Sequence, residues 1–141
     1  MLHQLVYISS ATKTFEQHEL ERLLATARRR NEQNGVTGVL LHDDFSFLQV
    51  LEGAPEVLAR TLARIRRDPR HTGLIVVQDV AVAERDFGAW DMASCHVQRN
   101  DLRQVAAARK LDQGFIRDLA AQISQPVAQI FVTQFGVQAL R

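Results

Sequence analysis

The chain has 141 residues, 46% hydrophobic and 23% charged, and its 17 basic against 16 acidic side chains leave a formal net charge of +1. That length predicts a single domain with one core, and the near-neutral charge excludes a binder that works by attraction to nucleic acid or to a membrane surface. Cys95 is the only cysteine, which rules out an internal disulfide and suits a reducing, cytoplasmic compartment; with no basic-then-apolar leader and no apolar run near 18 residues, neither a signal peptide nor a membrane span is expected.

Leu5, Tyr7 and Ser9 alternate with Val6 and Ile8, the pattern of a strand with Tyr7 and Ser9 on one face. A capping box at Thr14-x-x-Gln17 opens a helix on which Leu20, Leu23, Leu24, Ala27 and Asn31 recur at helical spacing until Asn34-Gly35 stops it. Residues 36–41 and 45–51 read as two strands joined across Asp43-Asp44, with Phe45, Phe47, Gln49 and Leu51 sharing a face of the second. Pro55 starts a second amphipathic helix with Val57, Leu58, Thr61, Leu62 and Ile65 on its apolar stripe, and Asp68-Pro69 ends it. Residues 74–77 suit a buried strand, and Trp90, Met92 and Ser94 alternate in a last one.

This order, β-α-β-β-α-β-β within residues 1–96, predicts an α+β fold: the ferredoxin-like arrangement with one added strand and both helices on one face of the sheet. Residues 97–141 are expected to form a C-terminal helical extension. Phe115, Ile116, Leu119 and Ile123 make one stripe, and Val127, Ile130, Phe131 and Phe135 another after Pro126, able to pack on the open sheet face or to contact another chain.

No glycine-rich phosphate loop, His/Cys cluster at metal spacing or nucleophile elbow is present, and no pair of acids suggests acid and base roles. What stands out is polar residues on faces that should be apolar: Asn31 on the first helix, Gln49 among Phe45, Phe47 and Leu51, and Tyr7 beside Ser9. Unpaired and buried, such groups cost roughly 1–3 kcal/mol each. Either they satisfy one another, or they surround a flat heteroaromatic ligand held between two helices lined by Leu23, Leu24 and Ile65.

Leu5-Val6-Tyr7-Ile8-Ser9-Ser10, Asn31-x-x-Asn34-Gly35-Val36-Thr37-Gly38-Val39-Leu40-Leu41 and Phe47-Leu48-Gln49-Val50-Leu51-Glu52-Gly53 together resemble the BLUF family of flavin-based blue-light sensors. Arg64-Ile65-x-x-Asp68-x-Arg70-His71 and Phe87-x-x-Trp90-x-Met92 follow in family order and spacing, so the resemblance spans about residues 2–95. His42 in place of a common tyrosine, and a turn without the usual glycine, depart from the pattern at the hairpin.

The resemblance implies non-covalent FAD between the two helices. On that reading Tyr7 gives an electron and a proton, and Gln49 lies between Tyr7 and the ring, where its amide rotates or tautomerises. Asn31 holds the pyrimidine edge. Leu23, Leu24, Phe47 and Ile65 line the pocket, Arg30 reaches the flavin or ribityl oxygens or else stays solvated, and Arg64, Asp68 and His71 stand where ribityl and phosphate contacts fall. Ser9 bonds to Gln49 or Trp90, and Trp90 and Met92 compete for one place beside the glutamine as the signal leaves. Because no catalytic module is evident after Met92, the expected output is binding rather than enzymatic, read by a homodimer or higher homo-oligomer or by a separate effector protein. An acylphosphatase-type enzyme would need an anion loop that Ser10-Ala11-Thr12-Lys13 does not provide; a light-insensitive ligand-binding or assembly module is the stronger alternative.

Overall fold

A computed structural model of the chain describes residues 1–13, 16–42, 45–88, 93–98, 101–104 and 113–139. Thr14, the Asp43-Asp44 turn, Trp90 and Met92 lie outside the described residues, as do the side chains of Gln17, Leu20, Ser94, Cys95 and Phe115.

The elements are β1 (Leu2–Ala11), α1 (Gln17–Gln33), β2 (Thr37–His42), β3 (Ser46–Gly53), α2 (Pro55–Arg66), β4 (His71–Val82), β5 (Ala93–Gln98), β6 (Asp101–Gln104), α3 (Gln113–Gln122) and α4 (Pro126–Ala139). One sheet runs β4-β1-β3-β2-β5-β6. Its first four strands are antiparallel, the ferredoxin-like set, and β5 joins the edge parallel to β2.

Local chemistry sets the helix ends. Glu16 stands at the N-cap of α1, where Glu19 accepts from its backbone N–H at 3.5 Å and pairs with Lys13 at 2.8 Å. At the other end Asn34 donates to the Arg30 carbonyl from its backbone (3.1 Å) and its side chain (2.7 Å), and Gly35 turns the chain at φ 67°.

Side-chain alternation sends the two halves of each strand pattern to different faces. Leu5, Tyr7, Leu40, Phe47 and Leu51 pack with Leu24, Val36 and Leu58 on the side of α1 and α2. Val6, Val39, Leu41, Leu48 and Val50 pack with Phe87 and with Ile116, Leu119, Ile123, Ala128 and Val132 of the C-terminal helical segment. The sheet is thus the middle of three layers.

Four details differ from the sequence reading. Strand β4 is much longer than its apolar run at 74–77, because pairing along β1 carries its polar positions too. Phe45 falls just before β3 and is exposed, since the ladder with β1 ends at Ser10 and Ser46. Residues 97–141 are not all helical: β5 runs to Gln98 and β6 adds a strand antiparallel to it. On α4, Val127 (44% exposed) and Ile130 (61%) face outward, whereas Ala128, Val132 and Gly136 are buried. Those three recur every fourth residue, and their small side lets the helices approach closely: a Cβ at Gly136 would lie 2.5 Å from Ile116 Cγ2.

Candidate functional site

Tyr7 and Gln49 are cross-strand partners on β1 and β3. Their exposures are 4% and 6%, and the Tyr7 hydroxyl donates to Gln49 Oε1 at 2.5 Å. Burial, aided by the negative charge of Asp68, pushes the Tyr7 phenol well above its usual range, so it stays a neutral hydrogen-bond donor.

His71 closes the same wall from the start of β4. Its Nδ1 is 3.2 Å from Ser9 Oγ, and its ring meets Phe47 edge-on (centroids 6.0 Å, 71°) and tilts against Tyr7 (6.5 Å, 32°). Burial lowers its pKa, opposed by the charge of Asp68 and a hydrogen bond to the Ile65 carbonyl. Asp68 is gripped by Arg70 (Nε at 2.8 and 3.1 Å, a terminal nitrogen at 2.5 Å), which holds its carboxyl below the usual range.

Between α1, α2 and this sheet face lies a cavity of about 490 Å³, within the span of roughly 300–1,000 Å³ usual for small-molecule sites. Tyr7, Phe47 and Gln49 form its floor; Leu23, Leu24, Arg30 and Asn31 line it from α1, Arg64 and Ile65 from α2, and Asp68 and His71 from the chain that follows α2. All of the residues expected to touch a ring or its ribityl chain therefore border one space. Ser9 does not border it; its hydroxyl lies 3.2 Å from His71 Nδ1. The expected alternative partner, Trp90, and Met92 lie outside the described residues.

Further wall residues went unrecognised in the sequence: Glu19, Arg22, Thr26 and Ala27 on α1, Leu40 on β2, Thr61 on α2, and Arg70. A signal existed for α1. Arg22, Thr26 and Arg30 recur at i, i+4 beside Leu23, Ala27 and Asn31, which marks one continuous strip of helix surface.

Asn31 tests what the cavity can hold. It is 7% exposed, borders the cavity, and its side-chain amide has no hydrogen-bond partner among the described residues. At the cavity wall it can pair with a ligand that offers both donor and acceptor atoms.

Residues 2–93 match the family described as BLUF, sensors of blue-light using FAD. The chain belongs to this family. Among BLUF relatives, the photoactivated adenylate cyclase subunit beta of Euglena gracilis is 39% identical over 94 residues, 66% of this chain and 11% of the relative. The blue light- and temperature-regulated antirepressor BluF of Escherichia coli K12 is 37% identical over 89 residues, 62% of this chain and 22% of the relative. The chain thus spans a small part of the curated relatives it matches. Of solved structures, the BlsA ground state aligns with 68% of this chain and 65% of its own at 33% identity and TM-score 0.64. Klebsiella pneumoniae BlrP1 with FMN and cyclic diGMP aligns with 69% of this chain and 26% of its own at 32% identity and TM-score 0.64. The BLUF cofactor is FAD. A cavity with a paired phenol and amide on its floor, the Asn31 amide on its wall and Leu23, Leu24, Phe47 and Ile65 around it fits an isoalloxazine ring.

Proposed function

We propose that this chain is a cytoplasmic blue-light photoreceptor in which Tyr7, Gln49 and Asn31 hold the flavin ring and convert its excitation into a new hydrogen-bond pattern. Bound FAD supplies blue-light absorption and, once excited, an electron acceptor. Asn31 would anchor the pyrimidine edge, Leu23, Leu24, Phe47 and Ile65 would exclude water around the ring, and Arg30, Arg64, Asp68 and His71 would hold its ribityl side. Tyr7 is the donor. With the flavin bound, Tyr7 would give its electron to the excited ring and its phenolic proton along the 2.5 Å bond to Gln49 Oε1. When both return to Tyr7, Gln49 is left rotated or tautomerised, so that its donor and acceptor ends have changed places without movement of the backbone.

The supporting observation is the buried Tyr7–Gln49 hydrogen bond on the floor of the cavity. The reading extends to the output: residues 1–96 sense, the remainder reports through contacts, with Ser9, Trp90 and Met92 as the relay. A homo-oligomer or an effector protein receives the signal. Purified chain supplied with FAD should be yellow and shift reversibly to the red under blue light. Tyr7→Phe should keep the colour and lose the shift. A colourless protein that refuses FAD would sink the proposal, and so would an unaltered shift in Tyr7→Phe.

A further inference from the structure

Three elements meet on the half-buried ring of His71. Its Nδ1 lies 3.2 Å from Ser9 Oγ on β1, the ring of Phe47 on β3 meets it edge-on, and it donates to the Ile65 carbonyl of α2. Ser9 follows Tyr7 by two residues, so both side chains point to the same face of the strand. The His71 ring thus touches the proposed electron donor directly and, through Ser9, its neighbour on the ladder.

Among the described residues around the Tyr7 ring, His71 is the group whose charge changes near neutral pH. Tyr7 is kept neutral by burial. Asp68 and Arg70 are the charged groups whose fields reach the His71 ring, and their mutual pairing keeps both ionised. Ser9 and Phe47 carry no charge, and across the cavity Glu19 of α1 stays ionised beside Lys13. The two states of the ring treat these neighbours differently. A neutral imidazole has one accepting nitrogen, so Nδ1 can receive the Ser9 hydroxyl. In the imidazolium both nitrogens donate, and Nδ1 must turn its own N–H toward Ser9 Oγ. The same proton sets a positive charge on a ring whose centre is 6.5 Å from that of Tyr7. A cation so placed opposes removal of an electron from the phenol, in surroundings that screen it less than water does.

We propose that His71 is a positioning residue for the photochemistry: neutral, it accepts the Ser9 hydroxyl and lets Tyr7 give up its electron; protonated, it reverses the Ser9 bond and holds Tyr7 back. The light response of the chain is thereby sensitive to pH. This rests on the flavin reading above, in which the electron passes from Tyr7 to the excited ring and the proton to Gln49 Oε1, and adds the residue that regulates that step. Burial lowers the pKa of the His71 ring, so the neutral state prevails at pH 7 and the protonated one sets in below about pH 6.5.

Tyr7 is the only tyrosine in the chain, so isotope-labelled tyrosine gives a single ring signal by NMR. That signal should be followed in full-length protein loaded with FAD, in the dark, from pH 8 to pH 5, with the dark spectrum confirming bound flavin at each step. The yield of the red shift per absorbed photon should be measured over the same range. The tyrosine signal is expected to titrate with one midpoint below about pH 6.5, and the yield to fall roughly three- to tenfold across the same interval. In His71→Gln the signal should stay still and the yield, at whatever level, should be independent of pH; His71→Asn serves in its place should the glutamine variant fail to hold flavin. A wild-type tyrosine signal that does not titrate, a titration that persists in the uncharged variants, or a yield indifferent to pH while the signal moves would each overturn the role of His71. A wild type that binds no FAD, or shows no red shift at pH 8, would overturn the flavin reading itself, and this role with it.

Discussion

Gln4 and Glu52 face each other across β1 and β3, three residues along each strand from Tyr7 and Gln49, and the odd step turns them to the opposite face of the sheet. There Gln4 Nε2 donates to Glu52 Oε2 at 3.1 Å and to Asp86 Oδ2 at 2.8 Å, while Gln78 donates to Gln4 Oε1 at 2.7 Å. The Glu52 carboxyl also receives the backbone N–H groups of Asp86 (2.7 Å) and Phe87 (2.8 Å). Asp86 Oδ2 in turn accepts from the backbone (2.9 Å) and hydroxyl (3.1 Å) of Ser124, at the junction of α3 and α4. The ladder that carries the buried Tyr7–Gln49 pair thus also carries the tether of the C-terminal helices.

Removing that tether should loosen the helices without emptying the flavin cavity. Asp86→Ala takes away the acceptor for Gln4 and Ser124, and hydrogen exchange of residues 116–132 should accelerate while the dark flavin spectrum stays in place. Unchanged exchange would mean that the apolar contacts alone hold the helices.

Glu52→Ala should be costlier, because it strands the Asp86 and Phe87 N–H groups and Gln4 in a buried site. A loss of about 3–5 kcal/mol in denaturant unfolding is expected for a network broken this way.

Tyr7 is the only tyrosine in the chain, so its phenolate absorbance can be read without overlap. Its folded-state pKa is raised above the unfolded value. Its stabilising contribution is therefore complete below about pH 10 and is lost as pH climbs toward the folded-state value. Phenolate absorbance should be absent from the folded protein at pH 10–11 and rise together with loss of secondary structure. A phenolate that forms in the intact fold would contradict the burial.

His71 acts in the opposite sense. Its folded-state pKa is depressed, so the unfolded chain takes up a proton first, and stability falls as pH drops below about 6.5. Denaturant midpoints followed from pH 8 to pH 5 should fall less for His71→Gln than for the wild type.

Gly38 on β2 is a close approach of strands: its φ is 151°, and a Cβ there would collide with the Val50 carbonyl oxygen. Gly38→Ala should cost about 1–3 kcal/mol or more, seen as a lowered unfolding midpoint and weakened flavin retention, since Leu40 and Gln49 are paired on the same ladder.

The legible parts of this molecule are those where one residue's position answers to one requirement. Alternation placed Tyr7 and Gln49 on an inner face, and helical spacing placed Asn31 opposite them, because polar groups at apolar positions are conspicuous in a linear pattern. The side of α4 that packs inward was not legible: that helix is apolar nearly all round, and the choice of Ala128, Val132 and Gly136 over Val127 and Ile130 depends on how near Ile116 can come. The partner of Ser9 was hidden for a related reason, since His71 reaches it only through the pairing of β4 with β1.

Parity along β1 and β3 also has a practical reading. Odd-numbered positions there contact the chromophore layer, and even-numbered ones contact the C-terminal layer. Substitutions at the first set therefore act first on the cavity, and those at the second on the seating of the C-terminal helices.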